Sequence, residues 1–140
     1  MYFLVWVRWG VIESGGSMAS RLITDLCPDM QVLYAQWKAK MDELGIDLII
    51  TCTLRTQAEQ NALFAQGRTF PGPIVTWTLH SQHLVGKAFD FCIMNAGKCD
   101  WTMFLKDSWN MAITIGKQLG MSQVVNSEGK ILEFAHLQIM

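Results

Sequence analysis

Ser81-Gln82-His83-Leu84-Val85-Gly86-Lys87-Ala88-Phe89-Asp90 is followed far downstream by Glu133-Phe134-Ala135-His136. The two stretches supply two imidazoles and a carboxylate able to hold a metal. They also supply a second carboxylate, three residues before the last imidazole, able to work as a base. Catalytic zinc typically takes three protein ligands and leaves a fourth position for water, and a nearby carboxylate can then take that water's proton. The set is the parts list of a hydrolytic metal site. Two His and one carboxylate also suit non-haem iron, but that chemistry needs no acid placed like Glu133.

Working outward, Ala88-Phe89-Asp90-Phe91-Cys92-Ile93 reads as a half-buried or fully buried strand with one acid inside it. An ionised carboxylate is costly to bury unless it is paired or bound to a metal. A lone acid in such a strand would more often accept hydrogen bonds from an Arg or from backbone amides; with His83 one turn upstream the balance reverses. Gly86 lets the chain bend sharply between the two, so a ligand before the turn and one on the strand after it can face one point. Glu133 and His136 pose the opposite problem, because residues three apart in a regular strand point to opposite faces. They can address one point only if the backbone bends or bulges, so the spacing predicts a strand over 131–134 and a turn near Ala135.

The rest of the chain reads as alternating helices and short strands. Pro28 suits the first turn of a helix over 28–44, with Leu33, Trp37, Met41 and Leu44 on one apolar face and Gly45 ending it. Residues 47–54 read as a buried strand. Thr56-Gln57-Ala58-Glu59 is a capping box that opens a helix ending near Gly67 and sets Arg55 at the junction of strand and helix. Pro71 and Pro73 mark 69–82 as a loop along the site. A hairpin over 88–101 turns at Asn95-Ala96-Gly97-Lys98. A last helix over 103–119 turns Phe104, Trp109, Ala112, Ile113 and Leu119 inward. This order indicates an α+β domain with a small, mainly antiparallel sheet packed with helices.

Composition bounds the function. At 140 residues the chain suits one domain with a real core. Its 51% apolar and 16% charged content speaks for a globule, not disorder. A net charge of −1 gives no reason to expect nucleic acid as a partner. Cys27, Cys52, Cys92 and Cys99 form no C-x-x-C pair and are expected to be reduced, although a Cys92–Cys99 link across the hairpin is conceivable. The six Trp are read as core before ligand platform. His80 reads as a rim residue. Arg68 could bind a substrate carboxylate but reads more simply as a solvated charge.

Ser-x-His-x-x-Gly-x-Ala-x-Asp with a C-terminal acid-x-x-His resembles the zinc D-alanyl-D-alanine carboxypeptidase family, and within it the L-alanyl-D-glutamate peptidases used as phage endolysins. The narrower resemblance rests on Thr51-Cys52-Thr53-Leu54-Arg55-Thr56, Gln60-Asn61, Leu63-Phe64-Ala65-Gln66-Gly67-Arg68-Thr69 and Gly72-Pro73-Ile74-Val75-Thr76, in order over about 23–138. It implies the hedgehog/D-Ala-D-Ala peptidase fold with a zinc site at the sheet. His83, Asp90 and His136 would bind Zn2+, Glu133 would be the general base, and Arg55 and Ser81 would lie near substrate. Two features depart from the pattern: Glu133 stands where the endolysin branch commonly has Asp, and 121–130 lacks the Trp-Gly-Gly-type segment that often precedes the last motif.

The implied function is hydrolysis of the peptide stem of bacterial peptidoglycan, at the L-alanyl-D-glutamate bond, by a monomer without stable membrane insertion. Alternatives are a D-Ala-D-Ala carboxypeptidase or dipeptidase, or a non-catalytic zinc-holding wall-binding module; Glu133 argues against the module. Residues 2–12 are apolar, broken by Arg8, too short to cross a membrane, and without the positive leading region of a secretory signal. Small residues at Ser17 and Ala19 leave a cleavable signal open. The simpler division is an extension at 1–17 and one peptidase domain at 18–140, where the family-like sequence starts. The enzyme is then expected in the host cytoplasm, reaching the wall after the membrane is permeabilised.

Overall fold

The computed structural model describes residues 19–140; the expected extension at 1–17 and the domain start at Met18 lie outside the described residues. Among the described residues, three α-helices, α1 (Pro28–Glu43), α2 (Gln57–Ala65) and α3 (Lys106–Gln118), pack with five strands. These are β1 (Leu48–Cys52), β2 (Ala88–Asn95), β3 (Lys98–Cys99), β4 (Ser122–Val125) and β5 (Ile131–Gln138). The sheet order is β1-β2-β5-β4, with β3 paired to β2, and every strand pairing is antiparallel. The α+β architecture is as expected.

The local signals act as their chemistry requires. Pro28 opens α1, where a missing N–H costs nothing. At the start of α2 the Thr56 hydroxyl accepts from the Glu59 N–H and the Glu59 carboxylate accepts from the Thr56 N–H, closing the capping box. Ala96 and Gly97 both take positive φ, the type I′ geometry that matches strand twist in the β2–β3 hairpin. All four cysteines are free thiols.

Four expectations change. Leu44 is exposed because it lies past the end of α1, which stops at Glu43, and the buried face of the helix is Met30, Trp37 and Met41. β1 alternates rather than being wholly buried, because it stands at the sheet edge and turns Ile49 outward. Phe104 is exposed and lies before α3, which starts at Lys106. The cause is Asp100, a buried carboxylate that accepts from the N–H groups of Phe104 and Leu105 and from the Trp109 indole, so it organises the entry to the helix. Finally, β5 does not turn at Ala135. It runs on to Gln138, and the bend is taken up as a bulge.

Period two in β2 decides where chemistry can sit. Phe89 and Phe91 project toward Trp37 of α1, each with ring centroids 5.0 Å from it, and Phe91 stacks near Trp109 of α3. The Trp37 indole N–H donates to the Ala112 carbonyl at 2.8 Å and so joins the two helices. Asp90 therefore faces the other side of the sheet. In β5, Leu137 lies against Gly116 of α3, whose missing side chain lets helix and strand approach, and this sends His136 to the same side as Asp90.

Candidate metal centre and active site

Asp90 and His136 are directly opposed across β2 and β5. Cross-strand neighbours on one face lie within side-chain reach, and here Asp90 Oδ1 stands 2.9 Å from His136 Nδ1. His83 arrives from the loop side. It sits in a 3-10 turn, Gln82–Val85, that Ser81 begins by accepting the His83 N–H on its hydroxyl, and that Gly86 ends at φ +69°. A Cβ at position 86 would meet backbone atoms of Asp25 and Cys27 at 2.8 and 2.9 Å, so only glycine fits this bend without displacement. The bend leaves His83 Nε2 3.2 Å from Asp90 Oδ1.

Glu133 joins the cluster because of the bulge. Ser122 of β4 opposes Gln138 of β5, but Val124 opposes Glu133, so three extra residues of β5 are accommodated between two pairings. The Gln123 side chain donates to the Phe134 carbonyl inside the irregular stretch. Freed from regular alternation, Glu133 Oε2 stands 3.2 Å from His136 Nδ1. The Glu133 side chain is 16% exposed, against 2% or less for His83, Asp90 and His136, so of these four it alone can exchange protons with solvent.

His83 Nδ1 is 2.7 Å from the Thr53 carbonyl, an acceptor that can only take a proton from it. His83 Nε2 is buried and makes no hydrogen bond, an orphaned atom beside a carboxylate. His83 Nε2 and His136 Nδ1 each approach Asp90 Oδ1, and Glu133 Oε2 approaches His136 Nδ1. The possible ligand atoms form two groupings that share Asp90, one with Glu133 and His136 and one with Cys52 and His83, and buried electron-rich donors set so close are stable only around a cation or protons. The donor set of two imidazoles and carboxylates fits a zinc-type ion. Of the two groupings, Asp90 with Glu133 and His136 is the better metal site and Cys52 with His83 and Asp90 fits less well: Cys52 Sγ lies 3.6 Å from His83 Nδ1, the nitrogen already committed to Thr53.

In the metal-free protein these proximities shift protons. Burial disfavours a charged His83, but the Asp90 carboxylate and the Cys52 sulfur together outweigh it and raise the ring's pKa from 6.5 to about 10. Burial also opposes ionisation of Asp90, and here His83 and His136 prevail and hold the carboxyl well below its ordinary range. Burial pushes Glu133 up; His136 opposes this and Asp90 adds to it.

Arg55 is buried at the strand-to-helix junction, its guanidinium 3.8 Å from Asp90 Oδ2. The Arg55 Nη1 donates to Gln60 Oε1 at 2.7 Å, while Gln60 Nε2 donates to the Thr78 carbonyl at 2.7 Å, which ties the loop to the site. Ser81 caps the turn that carries His83. His80 is exposed, as expected of a rim residue. Arg68 donates to the carbonyls of Phe64 and Thr76 and covers the Phe64 ring, so it pins the loop to α2 rather than standing as a merely solvated charge. Sequence reading missed the contacts of Thr53, Gln60 and Gln138. Only Gln138 carried a signal, two residues from His136 in a strand.

No family model matches the chain. It is 35% identical over 106 residues to the peptidoglycan L-alanyl-D-glutamate endopeptidase CwlK of Bacillus subtilis (strain 168), covering 69% of this chain and 64% of that protein. It is 32% identical over 76 residues to the L-alanyl-D-glutamate peptidase of Listeria phage A118, covering 54% of this chain and 25% of that protein. The chain therefore spans less than two thirds of either relative. Its structure resembles the Serratia marcescens L-Ala D-Glu endopeptidase ChiX, with a TM-score of 0.61 at 21% identity over 84% of this chain and 83% of that one. It also resembles the vancomycin-resistance D,D-dipeptidase VanXYg, solved with a D-Ala-D-Ala phosphinate analogue, with a TM-score of 0.57 at 18% identity over 81% of this chain and 49% of that one. The sequence matches bear out the resemblance read from the motifs, and the structural ones show the fold of the D-Ala-D-Ala peptidases.

Proposed function

We propose that this chain is a zinc-dependent peptidase that cleaves the peptide stem of bacterial peptidoglycan between L-alanine and D-glutamate. The observation that carries this reading is the approach of His83 Nε2 and His136 Nδ1 to the same oxygen, Asp90 Oδ1, with Glu133 Oε2 beside His136. The choice of bond rests on the names of the two sequence relatives.

His83, Asp90 and His136 would hold the ion. Zinc, when bound, supplies Lewis acidity that makes water nucleophilic near neutral pH and polarises a scissile carbonyl. Glu133, partly exposed and with a raised pKa, takes the proton of the attacking water and returns it to the leaving amine. Arg55 offsets the negative charge of Asp90 from the side away from His136 and, with Ser81, lines the approach of substrate. Hydrolysis then needs no nucleophilic side chain. Residues 18–140 form the catalytic domain, a monomer acting at the cell wall. Among the described residues no helix is long and apolar enough to cross a membrane.

Mass spectrometry of purified peptidoglycan digested by the zinc-loaded protein tests the proposal. New N-terminal D-glutamate on the stem peptides is expected. Loss of terminal D-alanine alone would assign a D,D-peptidase instead, and no cleavage with tight wall binding would make the chain a binding module.

A further inference from the structure

We infer that Gln138 is a positioning residue that fixes which nitrogen of His136 is free to bind a metal. The inference rests on the proposed role of His136 as a ligand. His136 turns Nδ1 toward the cluster, 2.9 Å from Asp90 Oδ1 and 3.2 Å from Glu133 Oε2. A neutral imidazole carries one proton, on one nitrogen or the other. Two carboxylates beside Nδ1 draw that proton to Nδ1, where it would occupy the lone pair a cation needs. An acceptor at the opposite nitrogen is required to hold the proton away.

Gln138 supplies that acceptor. Strand period two puts it on the same face of β5 as His136, and its Oε1 lies 2.9 Å from His136 Nε2. The amide's other end points to the Met140 sulfur at 4.0 Å, which can accept but cannot donate, so this orientation leaves the oxygen facing the ring. His83 is treated the same way by the Thr53 carbonyl at 2.7 Å. The two imidazoles are thus oriented by different means. The acceptor for His83 is main chain and beyond the reach of substitution; the acceptor for His136 is a side chain and can be varied. An amide can also rotate and offer its N–H to Nε2, which would favour the proton at Nδ1, whereas a carboxylate at 138 can only accept.

The test compares wild type, Gln138→Leu and Gln138→Glu by zinc affinity in competition with a chromophoric chelator, with thermal melts of the metal-free proteins as a check on folding. Gln138→Leu is expected to lose affinity by roughly 10–100-fold, the usual effect of removing a partner that orients a ligating His. Gln138→Glu should bind zinc at least as tightly as wild type. In the zinc-loaded wild type and Glu variant, the His136 Nε2–H should appear by nitrogen-15 NMR as a proton protected from solvent exchange, and it should be lost in the Leu variant. Wild-type affinity in Gln138→Leu, an equal loss in the Leu and Glu variants, or no protected Nε2–H in zinc-loaded wild type would each overturn the inference alone. Failure of the wild-type protein to bind zinc would overturn both the inference and the metal reading beneath it.

Discussion

At the scale of single residues, the proposed roles would separate groups that hold a metal from a group that moves a proton. His83, Asp90 and His136 are sealed from water, while Glu133 reaches His136 but keeps contact with solvent. Glu133→Gln should therefore retain zinc and the fold but lose turnover by at least ~10²-fold, the scale expected when an acid–base group is removed. Loss of zinc in this variant would make Glu133 a ligand. Because burial raises the Glu133 pKa, its carboxyl in the metal-free protein should titrate above the ordinary value of 4.5 by carbon-13 NMR, and a titration at or below that value would refute the shift. The metal-free protein carries a second signature. A His83 with a raised pKa stabilises the fold fully below about 6.5, and this contribution is lost as pH rises through about 10. Asp90, held low, contributes above the ordinary carboxylate range and loses this only as pH falls through its own depressed value. On the proposed ligand set, zinc would have to displace the His83 proton, so affinity should climb with pH toward about 10. Calorimetry at pH 7.5 in ~2 buffers of different ionisation enthalpy reads that proton release; identical apparent enthalpies would refute it.

At the scale of elements, the chain concentrates demands on two short segments. The turn Gln82–Val85 must end in a left-handed residue that also packs against the backbone of Asp25 and Cys27. Gly86→Ala should cost at least ~1 kcal/mol from the left-handed conformation alone, with a further cost from backbone contact. It should weaken zinc binding as well, because His83 moves with the turn. An unchanged melting temperature together with unchanged zinc affinity would show that the bend is not tightly held. The second segment is the start of the described chain. The Ser20 N–H donates to the Leu54 carbonyl, the Thr53 N–H donates to the Ser20 carbonyl, and the Thr53 hydroxyl donates to the Leu22 carbonyl. These bonds cover the end of edge strand β1 and hold the very residue whose carbonyl orients His83. A chain beginning at Met18 should fold and cleave like the full one, whereas a chain beginning at Ile23 should bind zinc more weakly. Equal zinc affinity in both shortened chains would remove any role for this clamp.

At the scale of the whole molecule, the sheet divides labour between its faces. One face carries Phe89, Phe91 and Leu137 against α1 and α3 and supplies most of the burial; the other collects polar side chains whose charges would be ruinous inside that core. The polar face is tied to the loop around Thr76 and Thr78 through Arg55 and Gln60, so the cluster is braced from the sheet, the turn and α2 together. Such bracing lets a site keep its ligands aligned before any ion arrives.

The sequence by itself determined the parts and their local settings. The spacing of His83, Gly86 and Asp90, the capping box at Thr56, Pro28 at a helix start and the α+β order were all legible, because residue type and short-range geometry fix them. The need for a distortion between Glu133 and His136 was legible too, since regular alternation forbids both from facing one point. What form it takes was not. The bulge arises from the pairing of β5 with two different neighbours in two registers, and that is a property of strands distant in sequence. The same holds for Leu44 and Phe104, whose apolar character fitted a buried face but which fall outside the helices, Leu44 past the end of α1 and Phe104 in the Asp100 network before α3. It holds equally for the choice of nitrogen on each histidine. An imidazole's two nitrogens are equivalent in a sequence, and only the acceptors folded against them, Thr53 for one and Gln138 for the other, make them different.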